Sequence, residues 1–208
     1  MNQNTKKATA IAVSCLIVIL AYYGSYLPFK KSQLFISTMR NLGSSSSLAD
    51  FKNKISIPLD ATSPIGQEEL VRQVASLISN FLNQTKDQPE VVAELTTYIE
   101  NYYKPIIDRG RGMSFGQNLY LLGSINEIAF LKTGDKKYLN DSKKYYLLAL
   151  ENGPKRPQAL FGMLDIYRFE GDVIGVQKIS TQILGQWPDE IKAKQAVDDF
   201  LKNLSGKK

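Results

Sequence analysis

Histidine is absent from the 208-residue chain, and cysteine occurs once, at Cys15. Without histidine the chain cannot form Ser-His-Asp or Cys-His catalytic groups, imidazole metal sites or imidazole proton shuttles. A single cysteine cannot build a disulfide framework. The one glycine-rich segment, Gly110-Arg111-Gly112, is too short for a phosphate loop and follows no strand. We therefore expect no catalytic residues, metal or cofactor, and the alternative is an active site of Asp, Glu or Lys.

The charge balance is mildly basic, with Lys+Arg 26 against Asp+Glu 20 and a net charge of +6. Part of this surplus is terminal, because lysines occupy positions 6, 7, 207 and 208. Elsewhere basic and acidic residues are interleaved, whereas a nucleic-acid binder concentrates its cations on one face or groove. We therefore expect no nucleic-acid partner.

An uncharged segment near the N-terminus, residues 8–27, has the length that a helix needs to cross a bilayer. Basic pairs lie on both flanks, and tyrosines lie at the second boundary, as is typical of a membrane span. These residues are Lys6, Lys7, Lys30, Lys31, Tyr22, Tyr23 and Tyr26. The alternative is a cleaved signal peptide, whose apolar core is shorter, at about 7–15 residues. The pattern favours an uncleaved single-pass anchor in the plasma membrane.

The orientation of this span depends on a near-equal charge balance. Lys6 and Lys7 precede the span, and Lys30, Lys31 and Arg40 follow it. The very short tail ahead of the span favours a cytoplasmic N-terminus. We therefore expect the part after the span to be extracytoplasmic.

Beyond residue 28 apolar residues recur every three or four positions, and no run alternates like a strand. This period predicts an all-α fold. Ser63-Pro64 is expected to begin one helix, and Pro105 to end or kink the next. A serine run, 44–47, is expected to form a turn and a helix cap. Further helices are predicted at 116–132, 136–151, 157–170, 172–186 and 189–204.

Two of the predicted hairpins share a register. Gly134-Asp135 and Gly171-Asp172 each close one helix and open the next, and Pro154 and Pro188, 34 residues apart, each end a second helix. Small or apolar residues recur at equal distances before these prolines, which predicts close helix contacts there. The pairs are Ser142 and Val176, Tyr146 and Ser180, and Ala149 and Ile183. The Gly-Asp pairs are 37 residues apart, so the first hairpin carries about three extra residues, near 136–138.

This register, over roughly 116–188, resembles the tetratricopeptide repeat, a 34-residue helix-turn-helix unit. Two residues depart from the family pattern: Ser180 stands where an aromatic residue is usual, and Glu127 where a small one is usual. The resemblance implies an α-solenoid, in which neighbouring hairpins stack because one hairpin cannot bury its apolar face alone.

The predicted domain organisation follows the chain from the membrane outward. It comprises a tail at 1–7, the transmembrane helix at 8–27, a membrane-proximal helical hairpin at 28–62, the TPR-like α-solenoid at 63–204, whose last helix is a cap, and a basic tail at 205–208.

A narrower resemblance involves four segments, at 28–32, 48–52, 63–70 and 156–160. Their order is similar to the region after the last membrane helix in some bacterial O-antigen ligase or polymerase-like proteins. The resemblance implies a bacterial envelope protein. Catalysis in that family belongs to the multi-span membrane portion, which a chain with one predicted span lacks.

Recognition is the function that this pattern favours. Repeat helices normally offer a groove lined by the first helix of each hairpin, and aromatic anchors ringed by polar groups suit an extended peptide. The candidate groove residues are Tyr98, Tyr102, Asn118, Tyr120, Asn126, Asp165 and Arg168. We expect a membrane-anchored scaffold for a protein or peptide partner. The alternative is an accessory component of surface-polysaccharide assembly, which contacts a glycan polymerase or ligase, or a lipid-linked glycan.

Overall fold

The computed structural model describes residues 2–85 and 88–205, and within these ranges every regular element is helical. The all-α prediction is confirmed. The helices are α1 (Gln3–Ala21), a π-helical segment (Tyr22–Tyr26), α2 (Leu27–Leu42), α3 (Leu48–Asp60), α4 (Gln67–Gln84), α5 (Pro89–Arg109), α6 (Phe115–Thr133), α7 (Lys136–Asn152), α8 (Pro157–Glu170), α9 (Val173–Gln186) and α10 (Ile191–Ser205). Residues 206–208 of the predicted basic tail lie outside the described ranges, as do Met1 and residues 86–87.

The first 40 described helical residues, Gln3–Leu42, form one continuous helix from α1 through the π segment to α2. Its apolar part is long enough to cross a bilayer, and none of that part is buried against the rest of the protein. The three boundary tyrosines lie in the π segment, where the rings of Tyr22 and Tyr26 stack 5.4 Å apart. The predicted apolar N-terminal helix is therefore present.

The chain divides into two compact units, with the division after Val74 inside α4. In the first unit α2 packs against α3, whose Ile55 is fully buried. The serine run supplies the predicted cap, because the backbone N–H of Asp50 donates to Ser47 Oγ at 3.1 Å.

In the second unit each helix from α5 to α10 packs against the next one, and α6 also packs against α8. The five helices predicted from 116 onward begin and end within two residues of the observed bounds. Buried side chains from α7 to α10 form one apolar cluster. Its members are Leu139, Tyr146, Leu160, Met163, Leu164, Ile166, Val176, Ile179, Ile183, Ala193 and Phe200.

Each of the two Gly-Asp pairs ends one helix and begins the next, as predicted. Gly134 and Gly171 end α6 and α8 in the left-handed region, with φ of 71° and 70°. Asp135 then caps α7 by accepting from the N–H of Lys137, and Asp172 caps α9 by accepting from the N–H of Gly175. The first hairpin was predicted to carry about three extra residues in its second helix. This agrees with the helix lengths, since α7 has 17 residues and α9 has 14.

Two helix boundaries differ from an outcome named in the sequence analysis. Of the end or kink predicted at Pro105, the end does not occur, because α5 continues to Arg109. Pro105 is exposed and near the helix end, so its missing N–H removes one hydrogen bond at a site open to water. Helix α4 begins at Gln67 and not at Ser63, because Ser63 Oγ donates to its neighbour Ile65 O at 2.7 Å and holds a turn there.

The ring of Tyr146 fills the space between α6 and α8. A Cβ atom on Gly123 of α6 would lie 2.5 Å from the ring, and one on Gly162 of α8 would lie closer still. Tyr146 is 1% exposed, so the ring cannot move aside. Ser142 Oγ also donates to Gly123 O at 2.8 Å, which holds α7 close to α6. The two glycines therefore allow three helices to meet on one aromatic side chain.

We predict that Gly162→Ala destabilises the protein, because the added methyl group would overlap the Tyr146 ring. Overpacking of this kind costs about 1–3 kcal/mol of unfolding free energy. Gly185→Ala on α9 is the matched control, since nothing lies within 4 Å of its added methyl group. Thermal unfolding of the full-length chain should show a lower midpoint for Gly162→Ala and an unchanged or higher one for Gly185→Ala. Equal midpoints for the two variants would contradict this packing.

Candidate functional site

Helices α6 and α8 together present a mixed aromatic and acidic surface. On each helix an acidic residue is followed by two further residues, three and four positions later, which lie on the same side of the helix as the acid. We call this surface the α6–α8 face, and it consists of Glu127, Phe130 and Leu131 of α6 and Asp165, Arg168 and Phe169 of α8.

The apolar part of the α6–α8 face lies near the C-terminal ends of the two helices. The rings of Phe130 and Phe169 are 5.5 Å apart and tilted, so they join α6 to α8. Phe169 remains 42% exposed and Leu131 58% exposed. This part of the face therefore exposes apolar surface.

Glu127 is the most strongly perturbed acid of the face. Burial raises the pKa of its carboxyl to about 7, and the nearby Asp165 carboxylate acts in the same direction. The Tyr146 hydroxyl donates to Glu127 Oε2 at 2.6 Å and favours the charged form, but it does not outweigh burial. Glu127 therefore titrates near neutral pH.

Asp165 is the second acid of the face. Burial raises the pKa of its carboxyl, while Arg168 opposes that rise by donating to Asp165 Oδ1 at 2.8 Å. The face thus brings two partly buried carboxyl groups close to one guanidinium group. Such a site would gain from a further cation.

The seven predicted groove residues occupy four different environments. Asp165 and Arg168 belong to the α6–α8 face. Tyr120 is half-buried and stacks on Tyr146 with ring centroids 6.1 Å apart. Tyr98 and Tyr102 form an edge-to-face pair on α5, with centroids 5.2 Å apart.

Asn118 and Asn126, the other two predicted residues, have no exposed surface. Asn126 Nδ2 donates to Glu100 Oε1 and to Leu122 O, both at 3.0 Å, and so joins α6 to α5. A ligand would reach these amides only by displacing the helices around them.

Four residues of the face were not among the site residues predicted from the sequence: Glu127, Phe130, Leu131 and Phe169. A signal was present, because Glu127 departs from the pattern of the family that the sequence resembles, and Asp165 and Phe169 are four positions apart. The resemblance predicts that these two helices are neighbours, but it does not tell which of their side chains meet.

Comparison of the chain with protein-family models, curated proteins and solved structures found no match. Within the described ranges, no group of three or more Cys, Asp or Glu residues is arranged to hold a metal ion.

We predict that Glu127→Gln makes the stability of the protein less dependent on pH. The unfolded chain releases this proton near pH 4.5 and the folded chain near pH 7, so the folded state loses stability as pH rises between these values. The shift corresponds to about 3 kcal/mol. Glutamine keeps an acceptor for the Tyr146 hydroxyl but does not titrate, so the advantage of the variant should grow from pH 5 to pH 8.

The measurement is the thermal unfolding midpoint across that pH range for the full-length protein. Glu151→Gln is the control, because Glu151 is exposed on α7. Its curve should run parallel to that of the wild type. Parallel curves for Glu127→Gln as well would show that Glu127 does not titrate abnormally.

Proposed function

We propose that this protein is a membrane-anchored scaffold built from stacked, TPR-like helical hairpins, and that it binds a protein partner without catalysing a reaction. The packing of α6 against α8 is the observation that carries the proposal. These are the first helices of two successive hairpins, and contact between equivalent helices of neighbouring repeats is what produces a stack. Tyr146, inserted between Gly123 and Gly162, supports the same arrangement.

The chemistry of the α6–α8 face suggests the kind of segment that it binds. Phe169 and Leu131 offer exposed apolar surface, and Glu127 and Asp165 offer two carboxyl groups against the single guanidinium of Arg168. A segment with an apolar side chain next to Lys or Arg complements both features. The partner we propose is therefore a protein segment of this composition.

The anchor in this proposal is the apolar part of Gln3–Leu42, with the rest of the protein on the extracytoplasmic side of the plasma membrane. The exposed apolar side chains of α1 support the anchor, since a bilayer would cover them.

Photo-crosslinking on intact membranes tests where a partner binds. A photoreactive residue at Leu131 reports on the α6–α8 face, and one at Ile174 of α9 is the matched control, because both side chains are exposed and apolar. We expect a discrete crosslinked protein from position 131 and none from position 174. The same product from both positions would contradict binding at this face.

We further predict that Asp165→Asn weakens the crosslink from position 131 about tenfold, as expected for loss of a charge-assisted contact. Asp198→Asn removes the same charge from an exposed site on α10, outside the face, and should change the yield by less than about twofold. Equal effects of the two variants would show that the acidic face does not select the partner.

Alkaline extraction of membranes tests the anchor, and reporters fused to the C-terminus test its orientation. The chain should stay in the membrane pellet, and a reporter that is active only outside the cytoplasm should be active. Release into the supernatant would contradict the anchor. An active cytoplasmic reporter would contradict only the orientation.

A further inference from the structure

A cleft opens beside the continuous N-terminal helix, within the first compact unit. It lies between α2, the loop before α4, and the start of α4, and its volume is about 310 Å³. This is at the lower end of the range of small-molecule sites, which is about 300–1,000 Å³. Pro28 is at one end of the cleft and directly follows the uncharged segment 8–27. In a chain anchored by that segment, the cleft lies at the level of the lipid headgroups.

Lys31 is the charged side chain buried in the wall of this cleft. It is 5% exposed, and its Nζ donates to Ala61 O at 2.7 Å and to Gln67 Oε1. Both acceptors are uncharged. Burial lowers the pKa of the ammonium and outweighs the Asp60 carboxylate, which favours the charged form of Lys31. A buried ammonium whose burial is not fully offset gains from a further anion.

The remaining wall of the cleft is largely apolar. Phe35 of α2 and Leu70 of α4 line it, and Ile65, which is 61% exposed, lies in the loop that borders it. Glu69 also lines the cleft, but Arg72 binds its carboxylate and lowers its pKa, so this acid carries its own counter-charge. A buried cation beside apolar walls suits an amphiphile with an anionic head.

We infer that this cleft binds one anionic phospholipid drawn from the surrounding bilayer. The phosphate oxygens accept a hydrogen bond from Lys31 Nζ, and the first methylene groups of an acyl chain lie against Phe35 and Leu70. The inference rests on the proposed membrane anchor, which places the cleft beside lipid. As a consequence, the lipid composition of the membrane should affect how α2 packs against the loop before α4 and the start of α4, which together line the cleft.

Native mass spectrometry of the full-length, detergent-solubilised protein tests the inference with phosphatidylglycerol and phosphatidylcholine as probes. The wild type should retain one phosphatidylglycerol and little phosphatidylcholine. Lys31→Met keeps an unbranched side chain, one atom shorter, but removes the charge, and should lower retention about tenfold, the loss expected for a charge-assisted hydrogen bond. Lys30→Met is the matched control, because Lys30 is adjacent and exposed, and it should change retention by less than about twofold.

If circular dichroism shows that Lys31→Met does not fold, two further variants test whether the charge of Lys31 holds the lipid. Lys31→Arg keeps the positive charge and should retain the lipid, whereas Ile65→Asp places a negative charge beside the cleft at an exposed position and should weaken retention. Glycerol phosphate added in solution should not displace the lipid, because it lacks the acyl chain.

Three results would overturn the inference: equal losses for Lys30→Met and Lys31→Met, equal retention of the two lipids, or displacement by glycerol phosphate at the lipid's own concentration. The last result would identify a site for a free phosphate ester and not for a lipid. Failure of the anchor itself would appear separately, as release of the chain during alkaline extraction.

Discussion

The second compact unit depends on the packing of the Tyr146 ring between two glycines of neighbouring helices. Gly123 and Gly162 lie on α6 and α8, and each lacks the side chain that would collide with the ring. The phenol ring therefore packs against both helices at once, and its hydroxyl reaches Glu127 on α6. Because protein interiors are close-packed, a change at any of these four positions is felt at the others.

This contact links the stability of the protein to the surface it presents. Glu127 is kept partly buried by the same packing that brings α6 next to α8, and its raised pKa is the consequence of that burial. A carboxyl group held in this way destabilises the folded chain at neutral pH, because burial disfavours its charged form. Perturbed acids of this kind are concentrated at functional sites, and Glu127 distinguishes the α6–α8 face from the tyrosine pair on α5.

The helices could be predicted from sequence because their signals are local: an apolar period, glycine at the ends of α6 and α8, and aspartate at the starts of α7 and α9. Pro105 does not end α5, because the cost of a proline depends on its distance from the helix end and on its exposure, which sequence does not state. The α6–α8 face depends on contacts between residues more than 30 positions apart. Glu127 and Phe169 therefore gave only weak signals, and the buried state of Asn118 and Asn126 gave none.

Hydrogen exchange measured by mass spectrometry on the full-length wild type and on Tyr146→Ala tests the central claim most directly. If this ring holds two successive hairpins together, its removal should lower the protection of backbone amides in both α6 and α8, although neither helix carries the substitution. Loss of protection confined to α7 would contradict the account, because it would show that the neighbouring helices pack independently of Tyr146.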